Sequence, residues 1–210
     1  MKNNRITREL LKMVKQDTIP ALGCTEPVAV AYVAAVASKY ALGEFDNIEI
    51  KVSKNIYKNG KFVIIPNTNE MGLDLAGALG FLCGNLDAGL MVLKDIDNRI
   101  VNLGQDMVRL GKVSVEYLEN TPDIYVNILV NNSEGNVEVE LRDSHTHIEW
   151  VKVNGEIVYE GRLNSKNNLS MDFLKEMTFK EIRKICETIP LGELIFIEEG
   201  IEMNKRAAER

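Results

Sequence analysis

The amino-acid sequence predicts an α+β fold in which a mixed or mainly antiparallel sheet packs with helices. Two patterns lead there. Apolar residues recur at helical spacing before residue 45 and after residue 170, whereas residues 113–159 alternate with the period of a strand. Those strands follow one another through turns instead of alternating with helices, as a doubly wound sheet would require. A third observation is negative: neither GxGxxG nor GxxxxGK followed by Ser or Thr occurs, so no motif supports nucleotide binding.

The elements follow in order. Ile6, Leu10, Leu11 and Val14 share one face of a first amphipathic helix. Residues 20–27, Pro-Ala-Leu-Gly-Cys-Thr-Glu-Pro, break it with a tight turn. A second helix follows, with Thr25 expected as N-cap and Pro27 in its first turn. Residues 28–37 are apolar on every side, which predicts burial. Ile48, Ile50 and Val52 alternate with Glu49, Lys51 and Ser53 as a half-buried strand. Residues 53–60 are polar and 62–65 apolar; 66–72 form a loop into a small-residue helix over 73–82. Residues 90–93 read as a short strand. Ile96, Ile100, Leu103, Met107 and Leu110 make a helical stripe. Strands are expected at 113–118, 124–130, 137–142, 147–153 and 157–159, with turns at 133–136 and 154–155. A polar linker is expected over 161–168, then a helical tail from 170, broken at Pro190. Residues 1–210 are expected to be one α+β domain, with 161–210 as its helical tail.

The chain has 210 residues, with 25 Lys and Arg against 31 Asp and Glu. Its net charge of −6 argues against a nucleic-acid backbone as partner. Hydrophobic residues at 45% and charged residues at 27% suit a globular core. The longest apolar run, 28–37, is too short for a membrane span, and the first nine residues hold no signal-peptide core. Three cysteines, an odd number and widely spread, do not make a disulfide framework. A cytoplasmic protein is expected.

Several residues can carry chemistry. Cys24 precedes a helix N-terminus, where aligned N–H dipoles lower a thiol pKa, whereas Glu26 would raise it. The alternative is a buried, inert cysteine. Cys83 and Cys186 sit on apolar helices and read as core, and no CxxC pair exists. The two histidines, His145 and His147, would share a strand face and could point into one pocket. A metal site there lacks an identifiable third ligand. Residues 53–60 and 67–72 offer hydroxyl, amide, ammonium and backbone donors, the second at a helix start that suits an anion.

Four segments occur in order: 21–31 (Ala-Leu-Gly-Cys-Thr-Glu-Pro-Val-Ala-Val-Ala), 52–60 (Val-Ser-Lys-Asn-Ile-Tyr-Lys-Asn-Gly), 65–72 (Ile-Pro-Asn-Thr-Asn-Glu-Met-Gly) and 145–148 (His-Thr-His-Ile). Together they resemble the N-terminal half of the L-cysteine desulfidase family, which is related to the iron–sulfur L-serine dehydratases. The resemblance implies a serine-dehydratase-like fold and a lyase of amino-acid catabolism. Such a lyase eliminates sulfide from L-cysteine to give pyruvate, ammonia and hydrogen sulfide, using a 4Fe–4S cluster. It implies Cys24 as the base that takes the Cα proton. It also implies Ser53, Asn55, Lys58, Asn59, Thr68, Gly72, His145 and His147 as pocket residues. Asn55 and Thr68 are expected at the substrate carboxylate, and His145 or His147 in orientation or proton handling. The family's cluster cysteines lie in a second, helical half. This chain is therefore expected to be inactive alone, to bind no cluster itself, and to work with a C-terminal cluster-binding subunit, unless it is a truncated protein. The alternative is a non-catalytic amino-acid-binding or regulatory module. If a missing half packs here, apolar surface is expected at 28–37 and 191–201, with homo-oligomers covering it.

Overall fold

The computed structural model describes residues 2–161 and 172–209, with side chains from Arg5 onward. The chain begins with helix α1 (Lys2–Asp17) and helix α2 (Thr25–Tyr40), then strand β1 (Phe45–Ser53), α3 (Lys54–Gly60), α4 (Leu73–Cys83) and α5 (Asn98–Arg109). Strands β2 (Val113–Leu118), β3 (Tyr125–Asn132), β4 (Gly135–Arg142), β5 (Ile148–Val153) and β6 (Glu156–Glu160) follow, and then helices α6 (Asp172–Lys175), α7 (Phe179–Cys186) and α8 (Ile195–Ala208). Most of the expected linker, residues 162–168, and the start of the expected tail lie outside the described residues.

Two compact units divide the chain. One contains the described residues of Ala21–Leu163, the other those of Met1–Pro20 and Asn164–Arg210. The C-terminal helices α6, α7 and α8 thus group with α1 in the smaller unit.

The larger unit is an α+β fold, as the sequence predicts. Its six strands run in the order β2-β1-β3-β4-β5-β6. β1 and β2 are parallel and every other neighbouring pair is antiparallel. The alternation of β1 puts Ile48, Ile50 and Val52 opposite Val130, Ile128 and Val126 of β3. These in turn face Val137, Val139 and Leu141 of β4. All nine are buried, and side chains of this kind stabilise by about 1.5–3 kcal/mol each when fully removed from water. At the Asn154–Gly155 turn both central residues have positive φ, 51° and 83°, as a two-residue hairpin between right-twisted strands requires.

Helix α2 is the centre of the core. Residues 28–37 are buried except for the half-buried Tyr32, as their composition predicts. α2 packs against α4 and against β3 and β4. The α2–α4 approach depends on small residues: a Cβ added at Gly80 would overlap the Ala31 backbone, and one at Gly84 would overlap the Ala35 side chain. α5 closes on α4 through Gly104, which faces Leu75 and Leu79.

Three local expectations are corrected, and the polar stretch left without an element is resolved. The N-cap of α2 is Cys24, not Thr25, which is already the first helical residue. Polar residues 54–60 form helix α3, because the Ser53 hydroxyl accepts from the Ile56 N–H and Ile56 turns into the core. Residues 90–93 are no strand. They belong to a 3-10 helix (Leu86–Met91) and the turn after it, where Gly89 at φ 52° breaks extended geometry. The α5 stripe is rotated: Leu103 and Leu110 are exposed while Gly104 is buried.

In the smaller unit, α7 opens on a capping box in which the Thr178 hydroxyl accepts from the Glu181 N–H and the Glu181 carboxylate accepts from the Thr178 N–H. Pro190 separates α7 from a 3-10 turn (Leu191–Leu194) that leads into α8. Among the described residues no helix is long and apolar enough to cross a membrane.

Candidate functional site

The N-terminus of α2 gathers residues from all four sequence motifs. Gly23 makes the entry. Its φ is +66°, and a Cβ there would stand 2.9 Å from Cγ of Pro66. The corner before α2 therefore fits tightly against the loop before α4. At the end of α3, a Cβ on Gly60 would crowd Leu73 and stand 3.2 Å from Cβ of Glu26. The absence of a side chain at Gly60 lets α3 reach the start of α2.

Glu26, second residue of α2, is the hub of this place. Its Oε2 accepts from the Cys24 thiol at 2.9 Å and from the Thr25 hydroxyl at 3.3 Å. Its Oε1 accepts from Nδ2 of Asn59 at 3.3 Å. Burial works to raise the Glu26 pKa. The Cys24 thiol, Glu26's own backbone N–H, Asn59 and His145 outweigh it and hold the carboxyl below its ordinary range. The same contact acts oppositely on Cys24, whose thiol is pushed above its ordinary value by burial first and by the hydrogen bond to Glu26 next. The pair at neutral pH is a protonated thiol donating to an ionised carboxylate.

The two histidines stand in the β4–β5 connection rather than within a strand. His145 acts electrostatically on Glu26. Nε2 of His147 lies 3.0 Å from Oε2 of Glu149. His147 thus has a carboxylate partner of its own.

The remaining candidates fall into two groups. Ser53 is buried; its hydroxyl donates to the Asp123 carbonyl at 2.6 Å and accepts from the Ile56 N–H at 3.2 Å. Thr68 donates to the Ile65 carbonyl at 2.8 Å and accepts from the Glu70 N–H at 3.0 Å. Both hydroxyls thus have structural work, in a cap and in a turn. Asn55 donates to the Asp123 carboxylate at 3.0 Å. Gly72, at φ 115°, caps α4, and the Asp74 carboxylate already accepts from the Leu75 N–H there at 2.9 Å. The anion expected at this helix start is thus supplied by the chain itself. Lys58 and Asn59, by contrast, are exposed on α3. A cleft of about 470 Å³ lined by Tyr57, Phe62, Met71, Gly72 and Asp74 opens beside the same elements.

Glu26 is the functional candidate missing from the sequence-derived set. Its signal was present: a carboxylate two residues after Cys24, in the first turn of a helix, is placed to meet both the helix dipole and the thiol.

The three cysteines do not assemble a cluster site. Cys24 is engaged with Glu26, the Cys83 thiol donates to the Leu79 carbonyl at 3.2 Å, and Cys186 is exposed. The exposure of Cys186 corrects its reading as core: Ile185, not Cys186, is the buried residue of that turn. Among the described residues no group of three or more His, Cys, Asp or Glu could hold a metal ion. These residues do not fit a 4Fe–4S cluster, which needs several thiolates together.

No protein-family model matches the chain. It is similar over its whole length to a UPF0597 protein of Clostridium botulinum (strain Okra / Type B1), with 46% identity over 210 residues that make up 48% of that relative. A UPF0597 protein of Shewanella baltica (strain OS155 / ATCC BAA-1091) is 36% identical over 203 residues, covering 96% of this chain and 48% of its own. One of Clostridium tetani (strain Massachusetts / E88) is 32% identical over 203 residues, covering 95% and 48%. The chain thus spans about half the length of the curated relatives it matches. Membership of the L-cysteine desulfidase family is corrected by these matches: the relatives carry the name UPF0597 protein, and none of them carries a cysteine desulfidase name.

Proposed function

We propose that this chain is the substrate-binding half of a lyase that removes the β-substituent of a small amino acid. The reaction releases sulfide from L-cysteine, or water from L-serine, and gives pyruvate and ammonia. The observation that carries this reading is the Cys24–Glu26 pair at the α2 N-terminus, with Asn59 on its other side and His145 acting on it. β-Elimination moves protons at Cα and at the leaving group, and it needs side chains of different proton affinity within reach of both. The exposed Lys58 supplies a cation for the substrate carboxylate, and Asn59 lies one residue further along the same helix. A 4Fe–4S cluster in such an enzyme would belong to the remaining half, whose length the relatives indicate. A cytoplasmic setting fits three unpaired cysteines.

Calorimetry with L-cysteine and L-serine tests the binding claim. Saturable heat is expected, together with at least threefold weaker binding in Lys58→Ala and no sulfide or pyruvate from the chain alone. Turnover by the chain alone, without any cluster, contradicts the reading. A second reading, a non-catalytic amino-acid-binding or regulatory module, is favoured by the Cys24 thiol, whose contact with Glu26 leaves it protonated rather than poised as a base. It is preferred if binding occurs but no turnover appears once the remaining half is supplied.

A further inference from the structure

We infer that Glu26 sets the protonation of Cys24, holding it as a proton-donating thiol rather than as the thiolate base that a cysteine at a helix N-terminus would otherwise become. The catalytic meaning of this rests on the lyase reading, but the chemistry of the pair does not.

A helix N-terminus favours an anion, and an isolated thiol there is driven toward thiolate. Here that position is already taken. Glu26 lies in the first turn of α2, its carboxylate held by its own backbone N–H. Its Oε2 is 2.9 Å from Cys24 Sγ, so a second negative charge at this distance is disfavoured and one proton is retained between the two groups at neutral pH. Asn59 decides where. Its amide donates to Oε1 of Glu26, and an amide N–H stabilises a carboxylate but cannot stabilise a thiolate it does not reach. The Thr25 hydroxyl donates to the same carboxylate, and His145 from the β4–β5 connection adds attraction for its charge. Every one of these contacts places negative charge on Glu26, so the proton stays on sulfur.

The consequence is a change of role. In a β-elimination a base takes the Cα proton, the C–H electron pair becomes the Cα–Cβ double bond, and the heteroatom departs with the electron pair of the broken Cβ bond. A cysteine held as a thiol protonates that heteroatom, the Cα proton goes to a separate base that returns it to solvent, and the Cys24 thiolate, disfavoured beside Glu26, is reprotonated from solvent, so that no net proton is consumed. Glu26 acts through Cys24 and is therefore a positioning residue.

Iodoacetamide alkylation of the Cys24 peptide, followed by mass spectrometry from pH 6.5 to 10.5 in a Cys83→Ser/Cys186→Ser background, tests this without substrate. The Cys24 midpoint is expected above that of a free thiol, which is about 8.5. Glu26→Gln is expected to lower it, so that alkylation at pH 7.5 accelerates about three- to tenfold. Glu26→Asp, which keeps the charge, should hold the rate within about twofold of the parent. A parent midpoint at or below the free-thiol value overturns the inference without any variant, and so does a folded Glu26→Gln protein with an unchanged or raised midpoint. No amino acid is present in this assay, so its outcome is independent of whether a lyase activity is found.

Discussion

Gly23 shows how a single residue fixes the site. Its φ of +66° costs an L-residue strain, and Pro66 stands where a Cβ would go. Gly23→Ala is expected to destabilise the protein by about 1–3 kcal/mol, read as a lower urea midpoint. An unchanged midpoint would mean that the corner is not built as described. The ionisable residues set a second test. Glu26 titrates below its ordinary value in the fold, so its contribution is present above that value and lost as pH falls through the folded pKa. Cys83 behaves oppositely. Burial, and then Asp97 and Asp95, push its pKa up to about 11, so its contribution is present below the ordinary thiol value and is lost as pH rises toward 11. The urea midpoint is expected to fall between pH 9 and 11, and to fall less in Cys83→Ser. An equal fall in both proteins contradicts the assignment. Cys24 was legible as a candidate from its place before a helix. The state of its proton was not, because that depends on Asn59 and His145, far apart in sequence and brought together by the fold.

At the scale of elements, the α2–α4 crossing is the most sensitive contact. Alanine is favoured over glycine within a helix by about 1 kcal/mol. Gly80→Ala should nevertheless destabilise by about 1–3 kcal/mol, because the methyl group meets the Ala31 backbone. A stabilised Gly80→Ala protein, by thermal or urea unfolding, would show that the helices can separate at no cost. Long periodic elements were legible: the apolar α2 and the alternating β3 and β4 follow directly from their side-chain spacing. Helix α3 was not, because it buries only Ile56 and Gly60 and shows the sequence a run of exposed polar residues. The misplaced strand at 90–93 has a related cause. A short apolar run reads alike in a strand and in a buried turn, and Leu90, Val92 and Leu93 are buried in the latter.

Across the whole molecule, the α+β class was readable because a run of hairpin-linked strands leaves few alternatives. The parallel pairing of β1 with β2 was not, since three helices intervene and no local signal names the partner. The family name suggested by the four motifs gave way to the relatives' own name, although those motifs do converge on one place. Apolar exposure also divides differently from expectation. Residues 28–37 are buried except for the half-buried Tyr32, whereas Leu191, Ile195 and Ile201 are exposed. In the larger unit, Phe62, Ile64 and Met71 are exposed as well, two of them lining the cleft beside the site. Self-association through the exposed apolar side chains of the 3-10 turn (Leu191–Leu194) and α8 is expected to give concentration-dependent mass in light scattering, reduced in Leu191→Ser/Ile195→Ser. A monomer at every concentration contradicts it.

The most direct test of the account is pyruvate formation by a chimera in which this chain replaces the matching portion of the Clostridium botulinum relative, after anaerobic iron–sulfur reconstitution. Pyruvate from L-cysteine or L-serine is expected, reduced at least about 100-fold by Cys24→Ala. A folded, reconstituted chimera that yields no pyruvate from either amino acid, or one in which Cys24→Ala turns over as fast as the parent, would contradict it.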